Sequence, residues 1–137
     1  MIIMSIDLGK VRTGLAVCDR EELLASPLAV LNEKDQSRLL ESIAGIAMEH
    51  KVETIVIGLP KNMDGTLGQN AMEAKLFGEK IFEKTKIPVD FFDERGTTIT
   101  AHHYLNTVNV RGKKRKAVVD MIAAVIILEN YLTYRKI

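Results

Sequence analysis

The stretch Ile2-Ile3-Met4-Ser5-Ile6-Asp7-Leu8-Gly9 decides how this chain is read. It is apolar almost throughout and reads as a core strand. Yet it places a carboxylate near its end. An Asp among buried strand residues is costly unless a metal, a hydrogen bond or a cation satisfies it. Alternation along the strand puts Ile3, Ser5 and Asp7 on one face and Ile2, Met4 and Ile6 on the other. The Ile2 face is expected under a helix. The Asp7 face is expected to open at the end of the sheet, toward partner acids.

Outward from this strand, Lys10 to Gly14 reads as a hairpin loop and Thr13 to Cys18 as the returning strand. Asp19 to Glu22 is a polar turn. Leu24 to Leu31 is a third strand, and Pro27 argues for an edge position or a late start. These three form an antiparallel meander. After Asn32 to Asp35 the spacing of Leu39, Leu40, Ile43, Ile46 and Ala47 predicts a helix from Ser37. Val52 to Ile57 is a buried strand stopped by Gly58-Leu59-Pro60, and residues 61–68 form a loop. Gly58, Gly65 and Gly68 are expected to supply positive φ around that loop. A second helix turns Ala71, Ala74, Phe77, Ile81 and Phe82 inward. The last strand, Val89 to Phe92, ends in Asp93-Glu94-Arg95. Thr97 or Thr98 caps a third helix running to about residue 106. Val108 to Lys116 is a basic loop. The final helix, roughly Ala117 to Tyr134, carries Val118, Met121, Ile122, Val125, Ile126 and Leu128 as its apolar stripe. The order predicts an α/β fold: a five-stranded mixed sheet, a β1-β2-β3 meander plus parallel strands, with helices on both faces.

Composition narrows the function classes. The 137 residues suffice for one domain over 1–137. Hydrophobic residues make up 47% and charged residues 27%, an ordinary globular balance. There is no Trp, and aromatics are only 5%, so an aromatic single-strand stacking platform is not expected. A net charge of +1 excludes a uniformly basic coat but not a local basic patch. The lone Cys18 permits no internal disulfide and no cysteine zinc site, and it reads as a small core residue. No signal peptide or bilayer-spanning run is apparent, so a cytoplasmic setting without membrane association is expected.

Three acids stand out by context. Asp7 ends a core strand, Glu94 with Asp93 follows another, and Asp120 lies early in the last helix. Acids at the same end of adjacent strands, joined by one from a helix, can bind two hard cations about 3.5–4 Å apart. Each acid also has a plain structural reading. Asp7 can accept backbone N–H groups of its own hairpin, Glu94 can pair with Arg95, and Asp120 suits a helix N-terminus. The basic run Arg111, Lys113, Lys114, Arg115 and Lys116 directly precedes the helix bearing Asp120. Its phosphate contacts would hold a nucleic-acid backbone and make binding salt-dependent. Arg12 and Arg95, each near a candidate acid, suit the scissile phosphate or neutralise neighbouring acids. His102-His103 lack further Cys or His at ligand spacing, and no serine sits in a nucleophile elbow.

Asp7-Leu8-Gly9 with Arg12-Thr13-Gly14, Gly58-Leu59-Pro60 with Asn62 to Thr66, Asp93-Glu94-Arg95 with Thr97-Thr98, and Lys116 and Asp120 with Ala123-Ala124 together resemble the YqgF/RuvX-like family. The resemblance covers nearly the whole chain in order. It implies an RNase H-like fold in a bacterial, cytoplasmic protein. It implies Asp7, Glu94 and Asp120 as a catalytic acidic triad working with Mg²⁺ or Mn²⁺, with Glu94 rather than Asp93 as the ligand. Gly96 departs from the larger apolar residue usual in that family. The implied activity is metal-dependent endonucleolytic cleavage of structured nucleic acid, processing of the 5′ end of pre-16S ribosomal RNA, or alternatively resolution of Holliday junctions in branched DNA. Junction resolution needs two coordinated cuts and favours a homodimer. Two other classes compete. One is a non-catalytic nucleic-acid-binding ribosome-assembly factor using the basic run. The other is an ATP-binding domain of the actin and sugar-kinase kind, which ordinarily needs two such units and an adenosine loop.

Overall fold

The computed structural model describes residues 1–59, 68–93 and 112–136, with the backbone alone for 69–70 and 112–120. Five strands form one sheet: β1 (Ile3–Leu8), β2 (Thr13–Cys18), β3 (Ala25–Leu31), β4 (Thr54–Leu59) and β5 (Val89–Asp93). Their order is β3-β2-β1-β4-β5. β1, β2 and β3 pair antiparallel, whereas β4 is parallel to β1 and β5 is parallel to β4. Pro27 sits in β3, an edge strand, beside a register shift at Leu15/Ala16. An edge position tolerates the missing donor.

Both faces are covered. On one, Met4, Ile6, Leu15, Ile55 and Ile57 pack with Leu39, Ile43 and Ala47 of α1 (Gln36–Glu49) and Ala71, Ala74, Phe77 and Ile81 of α2 (Gln69–Thr85). Asp35 caps α1, accepting from the Arg38 amide at 3.2 Å. On the other face, Ile3, Ala16, Cys18 and Val56 pack under Ala124, Ile127, Leu128, Tyr131 and Leu132 of α3 (Gly112–Arg135). The alternation read in β1 is therefore present: Met4 and Ile6 lie under α1 and α2, and Ile3 lies under α3.

Several expectations are corrected. β4 runs through Gly58 and Leu59 instead of stopping before them. Gly68 has φ −94° and ψ −175°, extended backbone rather than positive φ, at the N-cap of α2. Phe82 is 46% exposed, because it follows Ile81 by one residue and so stands about 100° around the helix. α3 begins at Gly112, so the stretch from Gly112 to Lys116 is helical, not loop. Lys and Arg are good helix formers, and charge alone does not break a helix. Of the stripe expected on α3, Leu128 is buried, Met121, Ile122, Val125 and Ile126 are only half-buried, and the Val118 side chain lies outside the described residues; the buried stripe is Ala123, Ala124, Ile127, Leu128, Tyr131 and Leu132. The two alanines let the helix approach the sheet beside Ser5, and Ile127, Leu128, Tyr131 and Leu132 fill the rest of the contact line. Gly65 and the expected third helix lie outside the described residues.

Candidate active site

β1, β4 and β5 run in the same direction, so their carboxyl ends share one edge of the sheet. In open α/β sheets that edge is where ligands bind. Asp7 stands there, half-buried, two residues after Ser5 and thus on the α3 face. Its antiparallel partner on β2 is Gly14. Gly58 on β4 is level with it, one residue beyond the Ile6–Ile57 pair. The sheet surface therefore carries no side chain on either side of Asp7. The turn that follows needs Gly9, since a Cβ there would collide with the Arg12 carbonyl oxygen.

β5 is in phase with this arrangement. Val89 and Phe91 face α2: a Cβ on Gly78 of α2 would lie 2.6 Å from Phe91 Cζ. Asp90 and Phe92 face α3, where the Tyr131 hydroxyl donates to Asp90 at 2.8 Å and the Phe92 and Tyr131 rings meet edge-on at 5.9 Å. Asp93 pairs with Leu59, a core residue of the α2 side, so alternation assigns Asp93 to the face opposite Asp7.

α3 lies antiparallel to β1. At its C-terminal end Arg135 pairs with Glu22 at 2.8 Å, and Glu22 also holds the Met1 ammonium at 3.0 Å. Near its middle, the buried Ser5 hydroxyl donates to the Ala124 carbonyl at 2.6 Å. The N-terminal half of α3 thus extends toward the carboxyl end of β1. Asp120 is one helical turn from Ala124 in that direction. The backbone of Lys113, Lys114, Arg115 and Lys116 occupies the first turns of the same helix. The side chains of these residues and of Asp120, together with Glu94, Arg95 and Arg111, lie outside the described residues. Among the described residues no three His, Cys, Asp or Glu side chains gather around a common point.

Several groups at the far end of the sheet have shifted pKa values. Arg135 holds the Glu22 carboxyl below its ordinary value, and the amides of Leu24 and Leu23 lower Asp19. Burial pushes the Cys18 thiol up. These groups fasten the start of β1 and the end of α3. Sequence reasoning placed Ser5 on the face of Asp7 but did not single out Gly14 and Gly58 as the neighbours of that carboxylate. Their signal is cross-strand: small residues become neighbours of Asp7 only once register is known.

The family pattern described as RuvX: Holliday junction resolvase matches residues 1–134. A protein of Clostridium botulinum (strain Eklund 17B / Type B), named "Putative pre-16S rRNA nuclease", is 40% identical over 132 residues, covering 96% of each chain. A namesake from Halothermothrix orenii is 39% identical over 135 residues, covering 98% of this chain and 96% of its own. Among solved structures, Thermus thermophilus RuvC in complex with Holliday junction substrate superposes with a TM-score of 0.64 at 15% identity, covering 99% of this chain and 96% of that one. Fowlpox virus resolvase, solved with substrate Holliday junction DNA, gives 0.62 at 11% identity over 98% and 99%. At such identities the structures establish the RNase H-like fold, and the sequence match goes further: this chain belongs to the RuvX family of Holliday junction resolvases.

Proposed function

We propose that this chain is a divalent-metal-dependent endonuclease that cleaves structured nucleic acid, acting on the 5′ end of pre-16S ribosomal RNA. The observation that carries the reading is the place of Asp7: a half-buried carboxylate at the carboxyl end of β1, flanked by Gly14 and Gly58, on the face covered by α3. Asp7, Glu94 and Asp120 are the ligands and catalytic residues in this reading. Strand parity disfavours Asp93, which alternates to the α2 face, away from Asp7. An all-carboxylate set suits hard Mg²⁺ or Mn²⁺ rather than zinc. When bound, such ions supply Lewis acidity for activating water and stabilising the leaving oxygen.

The chain's own residues hold the substrate. Lys113, Lys114, Arg115 and Lys116 open α3, and no acid stands in its first turn. Cations at the positive end of a helix dipole are unfavourable by roughly 0.3–1 kcal/mol each, an excess that a phosphate backbone offsets. Arg12, Arg95 and Arg111 complete the proposed phosphate contacts. Pre-16S RNA as substrate follows the names of the relatives. A reducing cytoplasm suits the free, buried Cys18. Action on branched DNA as a homodimer is the second reading, favoured by the family description.

The test is cleavage of matched RNA and four-way DNA substrates with Mg²⁺ and Mn²⁺, beside Asp7→Asn. Wild type is expected to cut RNA at the 5′ boundary of the mature sequence. Asp7→Asn is expected to bind RNA but not cut. Equal cleavage by both proteins overturns the site. Cutting confined to four-way DNA, by a dimer, transfers the assignment to junction resolution. Salt-sensitive binding with no cleavage by wild type leaves the assembly-factor reading.

A further inference from the structure

The geometry points to Ser5 as a positioning residue that sets the spacing of the two acids carried by β1 and α3. The inference rests on the proposed roles of Asp7 and Asp120 and adds what holds them in register. Ser5 is fully buried, and its hydroxyl reaches across the interface between sheet and helix to the Ala124 carbonyl at 2.6 Å. In α-helical geometry the amide of residue 124 donates to the carbonyl of residue 120. The Ser5 hydroxyl is thus two hydrogen bonds from the backbone of Asp120. Asp7 lies two residues beyond Ser5, about 6.6 Å along the strand. Asp120 lies four residues before Ala124, about 6 Å along the helix. The clamp is thus set back from both acids by nearly the same distance, on the same side.

Its surroundings agree. Ser5 pairs with Ala16 on β2, and Ala16, Ala123 and Ala124 are all completely buried. Small residues on both surfaces bring the helix close enough for a hydroxyl to reach its backbone. An alanine at position 5 would keep the packing and lose the bond. The Ala124 carbonyl has its ordinary helical donor, the amide of residue 128, so folding does not require Ser5. What the hydroxyl adds is a fixed axial register of α3 on β1. Apolar burial is non-directional, so it defines that register less sharply than a hydrogen bond does.

The experiment measures Mn²⁺ affinity by calorimetry on the intact, nucleic-acid-free protein, for wild type, Ser5→Ala, Ser5→Cys and Asp7→Asn. Ile81→Val, in the core on the opposite face and away from the Leu8–Lys10 turn, controls for destabilisation alone. Groups that orient metal ligands typically contribute about 10–100-fold in affinity. Ser5→Ala is expected to weaken Mn²⁺ by about tenfold or more. Ser5→Cys, a weaker donor of similar size, should fall between it and wild type. Ile81→Val should lower Tm with Mn²⁺ affinity unchanged. Cleavage by Ser5→Ala should recover at high Mn²⁺, and cleavage by Asp7→Asn should not. Wild-type affinity in Ser5→Ala, with affinity lost in Asp7→Asn, overturns the positioning role and leaves the acids in place. Should Ser5→Ala fail to fold, unchanged affinity in Ser5→Cys overturns it equally. Retained affinity in Asp7→Asn removes the site itself, and the inference falls with it.

Discussion

The same substitution, glycine to alanine, should have opposite effects in α1 and α2. Gly45 of α1 is exposed, and a Cβ there meets nothing within 4 Å. Gly45→Ala therefore collects the helix-propensity difference, about 0.8–1.0 kcal/mol of added stability. Gly78 of α2 faces β5, where a Cβ would lie 2.6 Å from Phe91 Cζ, 2.9 Å from Cε1 and 3.2 Å from Ile57 Cδ1. Overpacking costs about 1–3 kcal/mol. Phe91 is half-buried beside an open groove of about 580 Å³ shared with Phe82 and Pro88. The ring can swing into it, which places the penalty near the lower end. Set against the same propensity gain, Gly78→Ala should lose about 0–2 kcal/mol. Urea unfolding read by circular dichroism checks both values. At this length the two variants should differ in Tm by roughly 4–12 °C. Adding Phe91→Leu removes the ring, and Gly78→Ala should then become neutral or stabilising, a coupling of about 1–2 kcal/mol. Equal effects at the two glycines, or no coupling to Phe91, would refute the packing argument. The contact also bears on the proposed site, because Phe91 lies two residues before Asp93 at the end of β5.

Two further outcomes follow from the geometry. Glu22 titrates below its ordinary value because of Arg135 first and the Met1 ammonium next, so its contribution is complete above the unfolded value near about pH 4.3 and fades as pH falls through the folded one. Glu22→Gln should cost about 0.5–1 kcal/mol at pH 7 and nothing at strongly acid pH, read from urea midpoints across pH, and a constant offset at every pH would contradict this. Asp93 alternates to the face opposite Asp7, so Asp93→Asn should keep most metal-dependent cleavage while Glu94→Gln falls as far as Asp7→Asn; the reverse ranking in a cleavage assay would make Asp93 the ligand.

Much of the fold could be read from periodicity, and the misreadings have a shared cause. The strands and the inner faces of α1 and α2 follow periods of 2 and 3.6, which hydrophobicity reports directly. α3 departs from that scheme. Its largest aliphatic residues seemed to mark the buried stripe, yet Ala123 and Ala124 are completely buried and Met121, Ile122, Val125 and Ile126 are only partly so. The contact line runs from Ala123 and Ala124 through Ile127, Leu128, Tyr131 and Leu132, and its alanine pair carries too weak a hydrophobic signal to mark it. The basic run was misread for a similar reason. Charge signals solvent exposure, not loop, and Lys113 to Lys116 have the propensity to continue the helix to Gly112.

The site was legible one strand at a time but not across strands. The face of Asp7 follows from alternation within β1, and the Ser5–Ala124 bond places that face under α3. Which residues stand beside Asp7 depends on two separate pairings, antiparallel to β2 and parallel to β4. A shift of one residue in either would put Thr13 or Leu15, Ile57 or Leu59, where Gly14 and Gly58 now stand. Register here is fixed by burial. Leu15 and Ile57 must face α1 and α2, and a one-residue slip would turn them onto the α3 side. The two glycines therefore reach the sides of Asp7 because their apolar neighbours are pinned in the opposite core. The bare sheet surface beside the carboxylate is thus a consequence of packing on the other side of the sheet.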